Sequence, residues 1–467
     1  MTLHAERYAP AADEAMGDVF LRCIAVVLLG YALFNKGFAY LGFPPLFVAE
    51  IMLAFGAVVA LSSRHWQRLF EIKPLLAVIP LVGWGLFRTI PYVGSYGIDA
   101  LRDGTVYGYS AFGVVLALLL VADPTRLAVL LTWYRKYWRI FLIGVPIVFI
   151  LFRFFRGVLP YYPWANGVSL IYVKEGDLMV LLGAVLAFWV SGFEKKVSWG
   201  WFLLMAFCVA TVGVVDRAGM LAYLAVMTLC LLIKPRHSAA WRLITIACLA
   251  VFMLWLSSVA IEIPGGKGRD ISFRQVKVNL YSMLGADSGD AGTDSNRDWR
   301  LNWWTDVVDY TFKGPYFWMG KGYGVNLADD DGYQLFQDSR LRSPHSAHIT
   351  FLARGGVPGL VLWLLVPVTW GYSILRAYLR AKRDGDVEWE ATFSFIGAFG
   401  IALLINASFD VYLEGPMGGV WFWCVYGVGL GALWIYQNHP EVLLDDALST
   451  DDVEDIGPVH ASLARSR

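Results

Sequence analysis

The 467 residues are 57% hydrophobic and 16% charged, and 38 Lys and Arg balance 38 Asp and Glu. Soluble domains carry about 25% charged residues, so this composition points to a bilayer. A neutral chain lacks the basic surface that phosphate neutralisation demands, which excludes nucleic acid as a partner. Cys23, Cys208, Cys230, Cys248 and Cys424 fall in apolar runs without metal or disulfide spacing and read as buried thiols. The first residues mix charges of both signs without a small-residue cleavage pattern, so no removed signal peptide is expected.

A membrane-crossing helix needs roughly 20 apolar residues, fewer where polar caps flank it, and the chain offers about twelve such stretches. Their apolar cores fall at residues 19–38, 46–61, 75–87, 106–121, 141–152, 178–190, 200–215, 220–233, 243–261, 357–373, 393–407 and 418–436. The expected architecture is an all-α polytopic membrane protein with one large outer loop that holds short helices. About nine spanning helices occupy residues 1–262, the loop region takes 263–347, and about three more helices take 348–437. Residues 438–467 form an acidic tail expected to be disordered.

Short loops rich in Lys and Arg stay in the cytoplasm. Here the positive loops alternate: Arg64, Arg68 and Lys73; Arg126, Arg135, Lys136 and Arg139; Lys195 and Lys196; Lys234, Arg236 and Arg242; Arg376, Arg380, Lys382 and Arg383. With the N-terminus inside, every one of these loops is cytoplasmic, and so is the acidic tail. That map leaves His4, His65, His237, His439 and His460 inside, and puts only His345 and His348 outside. It also sends outward Arg88, Arg102, Arg153, Arg156, Lys174, Arg217, Arg297, Arg300, Lys321, Arg340 and Arg342.

Arg102, Arg153 and Arg217 fall at the membrane edge, where the charge bias disfavours cations and an anionic head group is one reason to keep them. The plain alternative is snorkelling or local pairing, since Asp103 follows Arg102 and Asp216 precedes Arg217. Arg297 and Arg300 stand three apart on one face of an expected helix, with Trp304 a turn further on. Trp299, Trp303 and Trp304 fit equally well an amphipathic helix lying on the outer leaflet. Glu50, an intramembrane carboxylate, reads as functional or as an interhelical hydrogen bond. The acidic patches A-D-S-G-D-A-G-T-D and A-D-D-D-G lack calcium-loop spacing and read as flexible loops. G-K-G-Y-G lacks the full phosphate-loop pattern and reads as a turn.

The run P-H-S-A-H-I-T-F-L-A-R-G-G-V-P-G resembles the signature of the O-antigen ligase and polymerase superfamily of membrane glycosyltransferases. His345 takes the histidine of the pattern H-N-x-x-L-x-x-L-x-E-x-G-x-x-G, and Gly356 and Gly359 take its glycines. Ser346 replaces the usual Asn, His348 an apolar or aromatic residue, and Arg354 the frequent Glu. R-L-N-W-W followed by G-P and G-K-G-Y-G is similar to the family's R-x-x-x-W … P-x-x-G-x-G-x-G run and puts its loop arginine at Arg300. V-D-R-A-G-M-L-A resembles the helix start S-R-[GA]-x-x-[LA] and puts the membrane-edge arginine at Arg217.

The resemblance implies a donor glycan on undecaprenyl pyrophosphate, presented at the outer face of a bacterial inner membrane, and catalysis without a metal or other cofactor. Arg217 and Arg300 would stabilise the departing diphosphate, for which arginine offers permanently charged forks. His345 would deprotonate or orient the acceptor hydroxyl. Arg102, Arg153, Lys174, Arg297 and His348 are candidate substrate-binding residues. The acceptor is a second lipid-linked repeat in a polymerase and lipid A–core in a ligase. The long, mixed-charge loop favours a polymerase of O-antigen or exopolysaccharide, working beside other polysaccharide export proteins. A transporter or flippase for the same lipid would place its polar groups near the bilayer midplane, often in repeated halves. A purely structural scaffold would leave the outward arginines unexplained.

Overall fold

Long apolar stretches in a bilayer must satisfy their own backbone, and helices do so within one segment. The computed structural model describes residues 12–443 apart from residues 166, 195, 214, 234–272, 284 and 338–340. The expected core at 243–261 and the tail from residue 444 lie outside the described residues. So do Lys195, Lys234, Arg236, Arg242, Arg340, Cys248, His4, His237 and His460. Every other expected core falls on a helix.

In chain order the helices are α1 (Ala12–Phe34), α2 (Lys36–Ala39), α3 (Val48–Ser62), α4 (Trp66–Leu69), α5 (Val78–Tyr96), α6 (Ile98–Gly108), α7 (Ser110–Ala122) and α8 (Arg126–Phe155). They continue as α9 (Glu175–Ser191), α10 (Trp199–Val212), α11 (Arg217–Ile233), α12 (Phe273–Met283), α13 (Ala291–Phe312) and α14 (Leu327–Asp330). The last are α15 (Ala347–Asp384), α16 (Val387–Phe409) and α17 (Pro416–Asn438). The strands β1 (Gly42–Phe43) and β2 (Leu46–Phe47) pair antiparallel as a small hairpin between α2 and α3.

Among the described residues, six helices are long and apolar enough to cross a membrane: Glu14–Phe34, Lys73–Tyr96, Arg126–Phe155, Ala347–Asp384, Val387–Phe409 and Pro416–Asn438. The pair α6 and α7, bent by 40°, makes a seventh if it is one span. Val48–Ser62, Trp199–Val212 and Arg217–Ile233 are apolar but shorter. The expected twelve crossings are therefore not all matched by full-length spans. On α8 the residues Ile143, Ile147 and Ile150 stay exposed on one face at helical spacing. An apolar stripe of this kind suits lipid contact.

The inner layer is as apolar as the outer. Every residue of α9 from Gly176 to Trp189 is buried. α17 packs on α7 through glycines, and a Cβ on Gly427 would stand only 2.4 Å from the Gly113 carbonyl oxygen. Small residues permit such backbone contact, which replaces a hydrophobic driving force that lipid cannot supply.

α15 breaks at Gly356 (φ 67°, ψ −168°), so a short helix precedes the long one that begins at Val357. The break is where G-P-Y-F-W-M-G-K-G-Y-G docks. Lys321 N and Gly322 N donate to the Ala353 and Arg354 carbonyls at 2.7 and 2.9 Å, and Val357 N donates to Phe317 O at 2.8 Å. The turn thus caps both helix ends that the break exposes. Arg88 secures it from α5, donating to Met319 O at 2.6 Å.

Both acidic patches are tied into the fold by hydrogen bonds and ion pairs. Asp290 caps α13 by accepting from Thr293 N at 2.7 Å, and Asp294 accepts from Ser288. Asp330 and Asp331 pair with Lys321, and Asp331 also accepts from Trp303 Nε1 at 2.7 Å. Glu50 accepts from Phe47 N at 3.2 Å and from the Tyr109 hydroxyl at 3.4 Å, which makes it a helix-end and interhelical contact.

Candidate active site

A cavity of about 1050 Å³ opens where α2, the middle of α6, the starts of α9, α11 and α17, the end of α16 and the loop helices α12 and α13 meet. Among the sequence candidates, Arg102, Lys174, Arg217, Arg297, Arg300 and His345 line it. Trp304 lines it too, with its Nε1 donating to Pro344 O at 2.6 Å and so fixing the residue before His345.

His345 lies at the turn into α15 with φ 56°, a left-handed conformation that costs energy for a side-chain-bearing residue and clusters at functional sites. Ser346 follows as the N-cap of α15, accepting from Ile349 N at 3.5 Å. Serine and asparagine cap equally well, so replacing the pattern's Asn keeps this role. The His345 ring meets Trp299 edge to face at 5.9 Å. Its Nδ1 stands 3.4 Å from Asp410 Oδ1, an ion-pair separation rather than a closed hydrogen bond. The other Asp410 oxygen is paired with Lys174. Burial opposes the charge on Asp410, but the Lys174 ammonium and His345 beside it hold its carboxyl well below the usual range. A proton held on Nδ1 toward this anion leaves Nε2 as the basic nitrogen.

The arginines are held from different elements. Arg217, the first residue of α11, donates to Ser282 Oγ and to Thr293 O, the latter at 3.5 Å. Its neighbour Asp216 accepts from Gly219 N at 2.8 Å. Arg300 donates to Phe409 O, one residue before Asp410. Arg297 pairs with Asp294 at 3.4 Å and Asp298 at 3.1 Å. Arg102, more than half exposed, pairs with Asp99 at 3.5 Å. Asp103 instead takes Arg342 Nη2 at 2.9 Å, Arg354 Nη1 at 3.0 Å and Gly324 N at 3.0 Å. The fully buried Arg354 is a scaffold cation, as are Arg88 and Lys321.

Two candidates fall elsewhere. Arg153, in the last turn of α8, is not among the residues lining the cavity. His348 is outside it as well, because helical spacing turns it from His345 into the packed side of α15. Its Nδ1 accepts from Trp363 Nε1 and its Nε2 faces Ser408 Oγ, both at 2.9 Å. The tryptophan donor leaves Nε2 to carry the proton, so the imidazole is a structural link. Trp303 is fully buried, which sets it apart from an interfacial belt. The sequence reading missed Lys36, Asp410 and Glu414. Glu414 accepts from Thr350 Oγ1 at 2.8 Å, and burial pushes its carboxyl up.

Residues 201–364 match the family model described as O-antigen ligase. This match, over about a third of the chain, supports the resemblance to the O-antigen ligase and polymerase superfamily. The matched segment runs from α10 past the Gly356 break and includes Arg217, Arg297, Arg300 and His345. Lys36, Arg102, Lys174, Asp410 and Glu414 enter the cavity from outside it. No curated protein matches the chain.

Proposed function

We propose that the protein transfers a glycan from an undecaprenyl-pyrophosphate donor to a glycan acceptor at the outer face of a bacterial inner membrane, acting as an O-antigen or exopolysaccharide polymerase. The observation that carries this reading is that Arg217, Arg300 and His345, distant in sequence, line one cavity at the ends of membrane helices. In this reading the short helices cross together with the long ones in a twelve-span chain, both termini are cytoplasmic, and the cavity is periplasmic.

The reaction balances with these groups. The bond between the donor sugar C1 and the diphosphate oxygen breaks, and its electron pair leaves on that oxygen. Arg217 and Arg300 stabilise the charge, with Arg297 and Lys174 in reserve around the same wall. The acceptor hydroxyl oxygen bonds to C1, and its proton passes to His345 Nε2. Asp410 orients the ring and stabilises the resulting imidazolium.

The description of the family model as O-antigen ligase favours a second reading, in which lipid A–core is the acceptor. Mass spectrometry of lipid-linked glycans from cells lacking the protein separates these. Accumulated single repeats support the polymerase, and polymer stranded on undecaprenyl pyrophosphate supports the ligase. Material trapped on the inner face would overturn both in favour of a flippase.

A further inference from the structure

We propose that Lys36 is a substrate-binding cation that receives the diphosphate of an isoprenoid-linked donor as it enters the cavity from the bilayer. This rests on the glycosyl-transfer reading and adds to it a residue and a route.

Lys36 lies two residues beyond the crossing segment Glu14–Phe34, and it lines the cavity. Lys174 precedes α9 and Arg217 begins α11, so with Lys36 the three cations sit at helix ends, as does the anion Asp410 after α16. Helix ends mark the depth where a lipid-linked diphosphate carries its charge, while its sugars extend beyond. Arg297 and Arg300 come instead from the loop helix α13.

The backbone is built to put Lys36 there. Asn35 breaks α1 from α2 in a left-handed conformation, φ 47°, that asparagine adopts at some cost. Its side chain compensates on both ends: Oδ1 accepts from Lys36 N at 2.8 Å, and Nδ2 donates to Asp177 at 2.7 Å. Asn406 holds the other Asp177 oxygen at 3.1 Å. Gly37 packs so closely on the 170 loop that a Cβ would stand 2.2 Å from Leu170 O. The Lys36 ammonium stands 5.4 Å from the Tyr172 ring centre, and Tyr172 also lines the cavity.

The same corner carries exposed apolar side chains. Trp164 donates to Tyr40 O at 3.2 Å and packs on Phe43 at 5.5 Å, joining the hairpin to the 156–172 connection. Phe43, Leu46 and Val158 stay exposed beside that junction. An apolar rim with a cation just inside it suits a ligand with a hydrocarbon tail and an anionic head. An interfacial aromatic belt alone would account for the rim but not for the break that aims Lys36 inward.

The test uses the full chain in nanodiscs, with K36M, K36R and K36Q compared for binding of farnesyl diphosphate, farnesol and inorganic pyrophosphate. Expected results are a roughly tenfold loss of farnesyl diphosphate affinity in K36M, recovery in K36R, and unchanged farnesol binding. K36Q carries the comparison if K36M does not assemble. Equal farnesyl diphosphate affinity in wild type and variants would overturn the assignment. Inorganic pyrophosphate binding as tightly as the lipid form would overturn the bilayer route. In glycan transfer, K36M should raise the donor KM and leave kcat and the acceptor KM within about twofold; a fall in kcat alone would also overturn it. If diphosphate binding depends on Lys36 but wild type transfers no glycan, the proposed function fails and this seat stands.

Discussion

His345 and His348 sit three residues apart and meet opposite fates. His345→Ala should cut transfer by roughly 100-fold or more, as for loss of a general base. His348→Gln should keep near-normal turnover, because an amide can both accept from Trp363 and donate to Ser408. Purified protein assayed for glycan transfer, with folding checked, measures both; the opposite ranking would reverse the roles. Asp410 makes a pH prediction. Its carboxyl is held below the usual range, so the pairing with Lys174 contributes stability above the unfolded value and loses it only as pH falls through the depressed one. The destabilisation caused by Asp410→Asn, read by thermal unfolding in detergent, should therefore persist at pH 5 and be no smaller there than at pH 7. The histidine and the loop arginines were legible because they sit in spaced motifs. Asp410 and Lys36 were not, because each is a single charge in a short connection whose partners, Lys174 and Tyr172, are more than a hundred residues away. The same distance hid that Arg88, Arg342 and Arg354 are claimed by Asp103 and by backbone carbonyls.

Element by element, the sequence marked apolar cores better than helices. The long helix of α15 begins where its apolar core does, at Val357, but the short helix before the break has a polar first turn and gave no signal. α8 runs 30 residues where hydropathy alone outlined residues 141–152. Arg135 and Arg139 interrupt the apolar pattern, and both pair with Glu194, at 3.7 and 3.3 Å. The Gly356 break makes a sharp demand on composition. A Cβ there would stand 2.5 Å from Phe317 O, and the left-handed φ alone disfavours alanine by about 1–2 kcal/mol. Gly356→Ala should lower the unfolding temperature and loosen the loop that carries His345. Limited proteolysis between residues 313 and 325 would register that loosening, and a variant as resistant as wild type would contradict it.

For the whole molecule, the apolar stretches gave a helical membrane fold class that the helices match, while the alternation of positive loops gave an orientation that labelling can test. Cysteine placed at Lys313 should react with an impermeant thiol reagent in intact spheroplasts, and cysteine at Arg383 should not; the reverse would invert the proposed topology. Both native side chains are exposed, so labelling reads sidedness rather than burial. α3 and α10 have 15 and 14 residues, about 21–23 Å of helix, whereas a hydrocarbon layer is about 30 Å thick. In the proposed twelve-span topology both helices cross, and such a hydrophobic mismatch is met by thinning the surrounding lipid. The protein would thus carry its own dimple, lowering the cavity toward head groups that a flat membrane would hold at its surface. In proteoliposomes, transfer should fall severalfold as acyl chains lengthen, since a thicker membrane resists the dimple and buries the cavity's rim.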